Sequence, residues 1–412
     1  MRPILTREFI RAIPKTDLHL HLDGSLRLGT LIELARKEGV ALPAEDEEGL
    51  LRTVFKPRYA GLQDYLRGFR YTCAVLRNAE NIERAAFELA EDCLAEGVRY
   101  IEVRLAPQLL THAELPIEAI LRAVAAGLSR AQRRHNALPK VKSGEDLPFE
   151  FGIIVCAMRA FNRNMGPYFR DLLGVMSRAP KREVFAIASL EVVREAVALR
   201  DECGLPIVGF DLAGEEAGYP AAYHVQAYQY AHSHFLKKTV HAGEAYGPES
   251  IFQAITDCHA NRIGHGTFLF AHEMIRDSTI ADRKKYCSDL AEYIASQRIT
   301  VEVCLASNLQ TCPELKRVER HPVAKMLEHN LSVSICTDNR LVSNTTVTRE
   351  LELIANRLAV SPRQFRNVII AGFKGSFFRG SYNQKRAYVH KVIEIYDRLE
   401  EKMLGISSKA SL

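Results

Sequence analysis

The chain has 412 residues, 47% of them hydrophobic and 25% charged, and its 55 basic and 50 acidic side chains leave a formal charge of +5. This composition excludes a low-complexity or disordered chain and implies a globule with a large core. With no dense basic tract it gives no nucleic-acid surface, and nine cysteines at irregular spacing, none in a C-x-x-C pair, argue against a disulfide framework and for a reducing compartment.

From Met1 to Lys15 the apolar residues are broken by Arg7, Glu8 and Arg11, and no later apolar run approaches the length of a bilayer span. A soluble, cytoplasmic protein without membrane contact is expected. Short β-rich runs then recur between long amphipathic helical stretches, near 16–20, 99–105, 149–156, 207–212, 238–242, 262–265, 300–304 and 332–337. Strands alternating with helices imply a parallel sheet, and eight such units match a closed (β/α)8 TIM barrel. The alternative, an open doubly wound sheet, lacks its usual phosphate-binding glycine fingerprint after the first strand.

Roughly eighty residues separate the first two strands, more than one crossover needs, so a helical insertion is expected over about 30–95. Leu62, Tyr65, Leu66 and Phe69 stand there at helical spacing. Two readings stay open for them: a lid over the barrel mouth, or an apolar stripe that packs on the barrel. After the last strand, Ser361-Pro362 resembles a helix start, and about 385–404 reads as a charged terminal helix within a helical region of about 345–412. With no linker and no internal repeat, residues 1–412 read as one domain.

Polar motifs fall at the carboxyl ends of the strands. Strand one ends in His19-Leu20-His21, strand five in His241-Ala242-Gly243-Glu244, strand six in Gly264-His265-Gly266, and strand eight in Thr337-Asp338-Asn339. Positions two apart on a strand share a face, so His19 and His21 can grip one ion. In a closed barrel these ends meet around one mouth, where His19, His21, His241 and Asp338 can converge on a cation. Nitrogen and oxygen ligands suit zinc, although iron, cobalt and manganese accept the same types. His232-Ser233-His234 is a decoy, because two positions on a helix are about 200° apart and the side chains diverge.

A catalytic zinc makes water a nucleophile near neutral pH. Asp338 can orient that nucleophile and accept its proton, and Glu244, outside the ligand set, is free to carry protons to a substrate. His265 is either a further ligand or a hydrogen-bond donor to the developing oxyanion; the second is preferred because four ligands are already counted. Strand four, Val208-Gly209-Phe210-Asp211-Leu212-Ala213-Gly214, holds no lysine to bridge a second ion, so one metal per chain is expected. Gly214 either exposes backbone to a ligand or is a simple turn glycine.

At these residues the chain resembles the adenosine deaminase family of metal-dependent hydrolases. The resemblance runs through Leu18-His19-Leu20-His21-Leu22-Asp23-Gly24, Glu96 to Arg104, Asp211 to Glu216, Val240 to Glu244, Arg262 to Gly266 and Cys336-Thr337-Asp338, in family order from about residue 14 to 345. It implies a barrel with one zinc held by His19, His21, His241 and Asp338, and hydrolytic deamination at C6 of an adenine ring. In that reaction Glu244 donates a proton to ring N1 and His265 positions the attacking hydroxide. The resemblance also puts Gly214 N–H on N3, Asp23 on a ribose hydroxyl and His21 beside the substrate, a small purine nucleoside such as adenosine or 2′-deoxyadenosine in purine salvage.

Many family members carry two aspartates where this chain has Asp338-Asn339, and the second contacts N7. That nitrogen is a bare acceptor, so an asparagine amide can donate to it at any pH. Asn339 therefore fits a purine while leaving the preferred purine open. Asp23 resembles the nucleoside enzymes more than relatives acting on adenine or modified nucleosides. Cys304-Leu305-Ala306-Ser307-Asn308 differs from the familiar proline-containing version, with no functional reading from sequence. Oligomeric state is not legible.

Overall fold

A computed structural model describes residues 5–406. Eight parallel strands form one sheet in sequential order: β1 (Lys15–His21), β2 (Val98–Leu105), β3 (Glu150–Met158), β4 (Ile207–Ala213), β5 (Lys237–Ala242), β6 (Arg262–His265), β7 (Thr300–Val303) and β8 (Val333–Ile335). Nearly every strand residue is buried, as expected when helices cover the outer face and side chains fill the interior. Each expected strand is present, with ends that differ by a residue or two. Expected strand eight continues to 337, but the ladder stops at Ile335, before the turn in which Asp338 takes φ +61°.

Closure between β1 and β8 uses the candidate site's own backbone. Asp338 N–H donates to His19 C=O and His21 N–H donates to Asp338 C=O, both at 2.8 Å. Two other ladder-end residues need special backbone. His265 has φ +65° without being glycine, and Gly214 follows β4 with φ +101°. A left-handed histidine and aspartate are uncommon and cluster where function requires a fixed side-chain direction.

The insertion after β1 contains helices Leu28–Glu38, Glu47–Thr53, Leu62–Leu66, Phe69–Val75 and Ala79–Ala95. The last packs against Ile117–Asn136 as the ordinary outer-layer crossover, while Leu62–Leu66 touches the helix Leu305–Thr311 that follows β7. Ser361 caps the helix Pro362–Gly375 through a reciprocal bond with Gln364. The terminal helix, Tyr382–Leu404, starts slightly earlier than its charge pattern suggests because Ser381 and Gln384 form the same box. Part of the expected 345–412 region, residues 407–412, lies outside the described residues. All nine cysteines are unpaired, and no described helix is long and apolar enough to cross a membrane.

Candidate metal centre and active site

The carboxyl ends of β1, β5 and β8 bring three imidazoles and one carboxylate together. His19 Nε2 and His21 Nε2 stand 3.1 and 3.2 Å from His241 Nε2, and Asp338 Oδ1 lies 3.5 Å from both His19 Nε2 and His21 Nε2. All four residues are buried and offer ligand atoms within 4.8 Å of one another. Separations of 3.1–3.5 Å between these donor atoms suit ligands of a single ion such as zinc.

The far side of two of the rings supports the same reading. His19 Nδ1 is 2.8 Å from Glu302 Oε2, and His241 Nδ1 is 3.0 Å from Asp211 Oδ2. A carboxylate accepting from Nδ1–H fixes the tautomer that leaves the Nε2 lone pair free for a cation. Arg104 then bridges both carboxylates, at 2.8 Å to Asp211 and 2.9 Å to Glu302. Arg262 continues the chain of charges, bonding Glu302 at 2.5 Å and Glu102. These five side chains lie inside the barrel, where an unpaired charge would cost several kcal/mol.

Sequence reasoning left Arg104, Asp211, Arg262 and Glu302 without roles. The signal was present: charged residues inside strands buried on both faces must find partners. Glu216 was also missed. Its carboxylate accepts the backbone N–H groups of Gly243, Glu244, Ala245 and Tyr246 at 2.6–3.0 Å, and the Ser250 hydroxyl. One side chain thereby sets the course of the loop that carries Glu244. Ser307, from the segment with no sequence reading, donates to Asp338 Oδ2 at 2.6 Å.

Glu244 and His265 face each other beside the ligand cluster, with Glu244 Oε1 3.5 Å from His265 Nε2. Burial pushes the Glu244 carboxyl up to about 8, aided by the negative charges of Asp338 and Glu216 and opposed by His241. It is therefore a proton-carrying acid at neutral pH. Burial holds His265 well below the ordinary histidine range, hence neutral. Asp338 behaves oppositely: burial would raise it, but the His19 hydrogen bond and the surrounding imidazoles hold it well below the usual carboxylate range.

The remaining predicted residues border this chamber. Asp23 is buried, with Oδ1 4.0 Å from His21 Nδ1 and without a hydrogen-bond partner among the described residues, Oδ2 4.0 Å from Cys73 Sγ, and burial raises it to about 7. A Cβ on Gly214 would stand 2.9 Å from Met158 Cε in addition to occupying a disfavoured φ, so both sequence readings of this glycine are compatible with its surroundings. Asn339 Nδ2 donates to Tyr65 Oη at 2.9 Å, and Tyr65 Oη pairs with Ser343 Oγ at 2.7 Å. Tyr65 thus ties the helix Leu62–Leu66 to the loop after β8, so this part of the insertion covers the mouth. Leu62 and Phe69 pack beside it on the core. His232 and His234 diverge as expected, His232 stacking on His259 and His234 on Tyr230.

An adenosine deaminase family model matches residues 14–395. The chain belongs to the adenosine deaminase family. Within that family it is 32% identical over 393 residues to an adenosine deaminase of Mycolicibacterium vanbaalenii, covering 95% of this chain and 97% of that protein. Adenosine deaminase 1 of Streptomyces coelicolor is 33% identical, over 93% of this chain and 87% of the relative. Among solved structures, an amidohydrolase from Burkholderia ambifaria with bound Zn superimposes with TM-score 0.73 at 20% identity, covering 97% and 95% of the two chains. The Arabidopsis N6-mAMP deaminase gives TM-score 0.70 at 23% identity over 94% and 99%. These two likenesses establish the barrel fold, with its buried histidine–aspartate metal-site cluster supplied by this chain's own residues.

Proposed function

We propose that this chain is a cytoplasmic, one-zinc adenosine aminohydrolase that converts adenosine and 2′-deoxyadenosine to the inosine products and ammonia, acting as a single catalytic unit. The observation that carries the reading is the placement of Glu244 Oε1 3.5 Å from His265 Nε2, both beside Asp338 in a chamber walled by the histidine–aspartate cluster. His19, His21, His241 and Asp338 would hold the ion. When bound, the metal supplies a nucleophilic oxygen at neutral pH and electrostatic stabilisation of negative charge.

The side chains do the rest. Asp338 accepts a proton from the attacking water and directs it at C6, while His265 donates a hydrogen bond to the oxygen as charge builds on it. Glu244 gives its proton to N1, which lets the ring accept the electron pair when C6 becomes tetrahedral. Asp338 then returns its proton to the C6 amino group, which leaves as ammonia, while the C6 hydroxyl proton passes to the ionised Glu244 as the carbonyl forms. Gly214 N–H meets N3, Asn339 meets N7, and His21 lies along the nucleoside. The unpartnered Asp23 oxygen favours a ribose hydroxyl over a free base, since a buried carboxylate oxygen without a donor is costly.

The test is a panel of adenosine, 2′-deoxyadenosine, adenine and N6-methyl-AMP with the zinc-loaded protein, following the adenosine absorbance band and ammonia release, alongside metal analysis. Adenosine and deoxyadenosine should turn over. No reaction with either would reject the proposal, and a preference for adenine or the modified nucleotide would reassign the substrate. Glu244→Gln should keep its metal and lose about 10²–10⁴-fold in kcat.

A further inference from the structure

His265 can donate a hydrogen bond into the chamber only if its proton sits on Nε2, and a series of contacts leading away from the site decides this. The helix Val323–Glu328 begins with a backbone N–H that has no partner inside the helix. Val323 N–H instead points at His321 Nδ1, 3.1 Å away. A backbone N–H can only donate, so Nδ1 of His321 accepts. Burial lowers His321 to about 3 and keeps the ring neutral, which leaves its single proton on Nε2. That nitrogen lies 3.2 Å from Asn308 Oδ1.

An amide whose oxygen is taken in this way turns its –NH2 the other way. Asn308 Nδ2 stands 3.1 Å from His265 Nδ1. The ring nitrogen therefore accepts, and the proton of His265 is on Nε2, a buried atom with no hydrogen-bond partner among the described residues, aimed into the chamber 3.5 Å from Glu244 Oε1. We infer that Asn308 and His321 are positioning residues that fix the Nε2–H tautomer of His265 and so make it a hydrogen-bond donor to the reacting oxygen instead of a metal ligand. The direction of every bond is dictated by the first one, a helix-end N–H. This inference rests on the reading of the chamber as a deamination site, but the tautomer can be measured without turnover.

The sharpest perturbation is Asn308→Asp. The new side chain is nearly the same shape, yet its carboxylate accepts only, so it pulls the His265 proton to Nδ1 and strips the donor from Nε2. Zinc-loaded wild type and variant, labelled with 15N-histidine, would be compared by long-range 1H–15N correlation, with the His265 signals identified by their loss in His265→Asn. Wild type should carry the proton on Nε2 and N308D on Nδ1. With adenosine, N308D should lose about 10²-fold in kcat with zinc content and KM little changed, the scale seen when one oxyanion donor is removed.

His321→Gln and His321→Leu form a second test should N308D fold poorly. Glutamine can still present an N–H to Asn308, whereas leucine cannot. H321Q should stay within a few-fold of wild type with Nε2–H intact, and H321L should lose kcat and the uniform tautomer. A wild-type His265 protonated on Nδ1, an N308D enzyme that keeps Nε2–H and full kcat, or equal H321Q and H321L would each overturn the inference. A wild type that shows the Nε2–H signal but leaves adenosine untouched would instead overturn the proposed reaction.

Discussion

Asp211→Asn tests whether the carboxylates behind the ligand cluster hold the metal site in register. Leu212 N–H donates to Asp211 Oδ1 at 2.7 Å, so an asparagine keeps its carbonyl oxygen there. Its –NH2 then replaces Oδ2, which lies 3.0 Å from His241 Nδ1 and 2.8 Å from Arg104 Nη1. His241 Nδ1 also bonds Oδ1 at 3.2 Å, but in the variant that oxygen is a neutral amide carbonyl shared with Leu212 N–H, so the imidazole loses the charged acceptor that polarises it. Loss of such a supporting partner costs about 10–100-fold in metal affinity, or about 1.4–2.7 kcal/mol. Arg104 keeps Glu302 as a partner at 2.9 Å, so the fold should survive, with unfolding free energy lowered by about 1–3 kcal/mol. Competition for zinc against a chromophoric chelator, with wild type and D211N side by side, gives the affinity directly. A variant within twofold of wild type would refute the reasoning, because it would show that His241 needs no charged acceptor behind it.

Tyr65→Phe should release Asn339 and weaken adenosine binding by about 1 kcal/mol, roughly fivefold in Kd, while binding of 7-deazaadenosine, which has no N7 acceptor, stays the same in both proteins; equal losses for the two ligands would contradict a contact through N7. Glu216→Gln sets an amide –NH2 against backbone N–H groups in either orientation, and kcat should fall at least tenfold while zinc content, which depends on β5 and not on this loop, is retained. An unaltered kcat would show that the loop holds its course alone. The Asp146 carboxylate, where burial opposes but Arg99 at 2.9 Å and Lys140 outweigh it, is held well below its ordinary value. The native state thus binds fewer protons than the unfolded chain between those two values, and this stabilisation is complete above the unfolded pKa near 3.8 and lost as pH falls through the native one. Asp146→Asn should therefore be less stable by about 2 kcal/mol at pH 7, with the difference shrinking below about pH 4 in urea unfolding.

The barrel was legible because strand and helix periodicities differ and each strand run ends in turn chemistry; so was the convergence of four side chains, because β-alternation and closure bring His19, His21, His241 and Asp338 to one rim. Glu244 and His265 followed from the same ends. What stayed hidden were residues whose roles depend on partners far away in sequence. Glu302 gains meaning only beside His19 and Arg104, and Glu216 only beside four amides that no local pattern marks. Tyr65 looked like one member of an apolar stripe, and its hydroxyl acquires a role only when the insertion folds back over Asn339. Asn308 and His321 were invisible for another reason: hydrogen-bond direction is a property of a network and is absent from any single residue.

The seam between β1 and β8 also has a consequence for how the protein matures. Two of the imidazoles emerge from the ribosome near the start of synthesis, whereas the carboxylate that completes their set, and the backbone partners that lock His19 and His21 in place, arrive only after the eighth strand. Until then the nascent chain offers an incomplete and unclasped set of donors. A cation at this cluster would therefore be held by its full donor set only in a finished barrel, and a chain stalled or cut before Asp338 would lack the carboxylate.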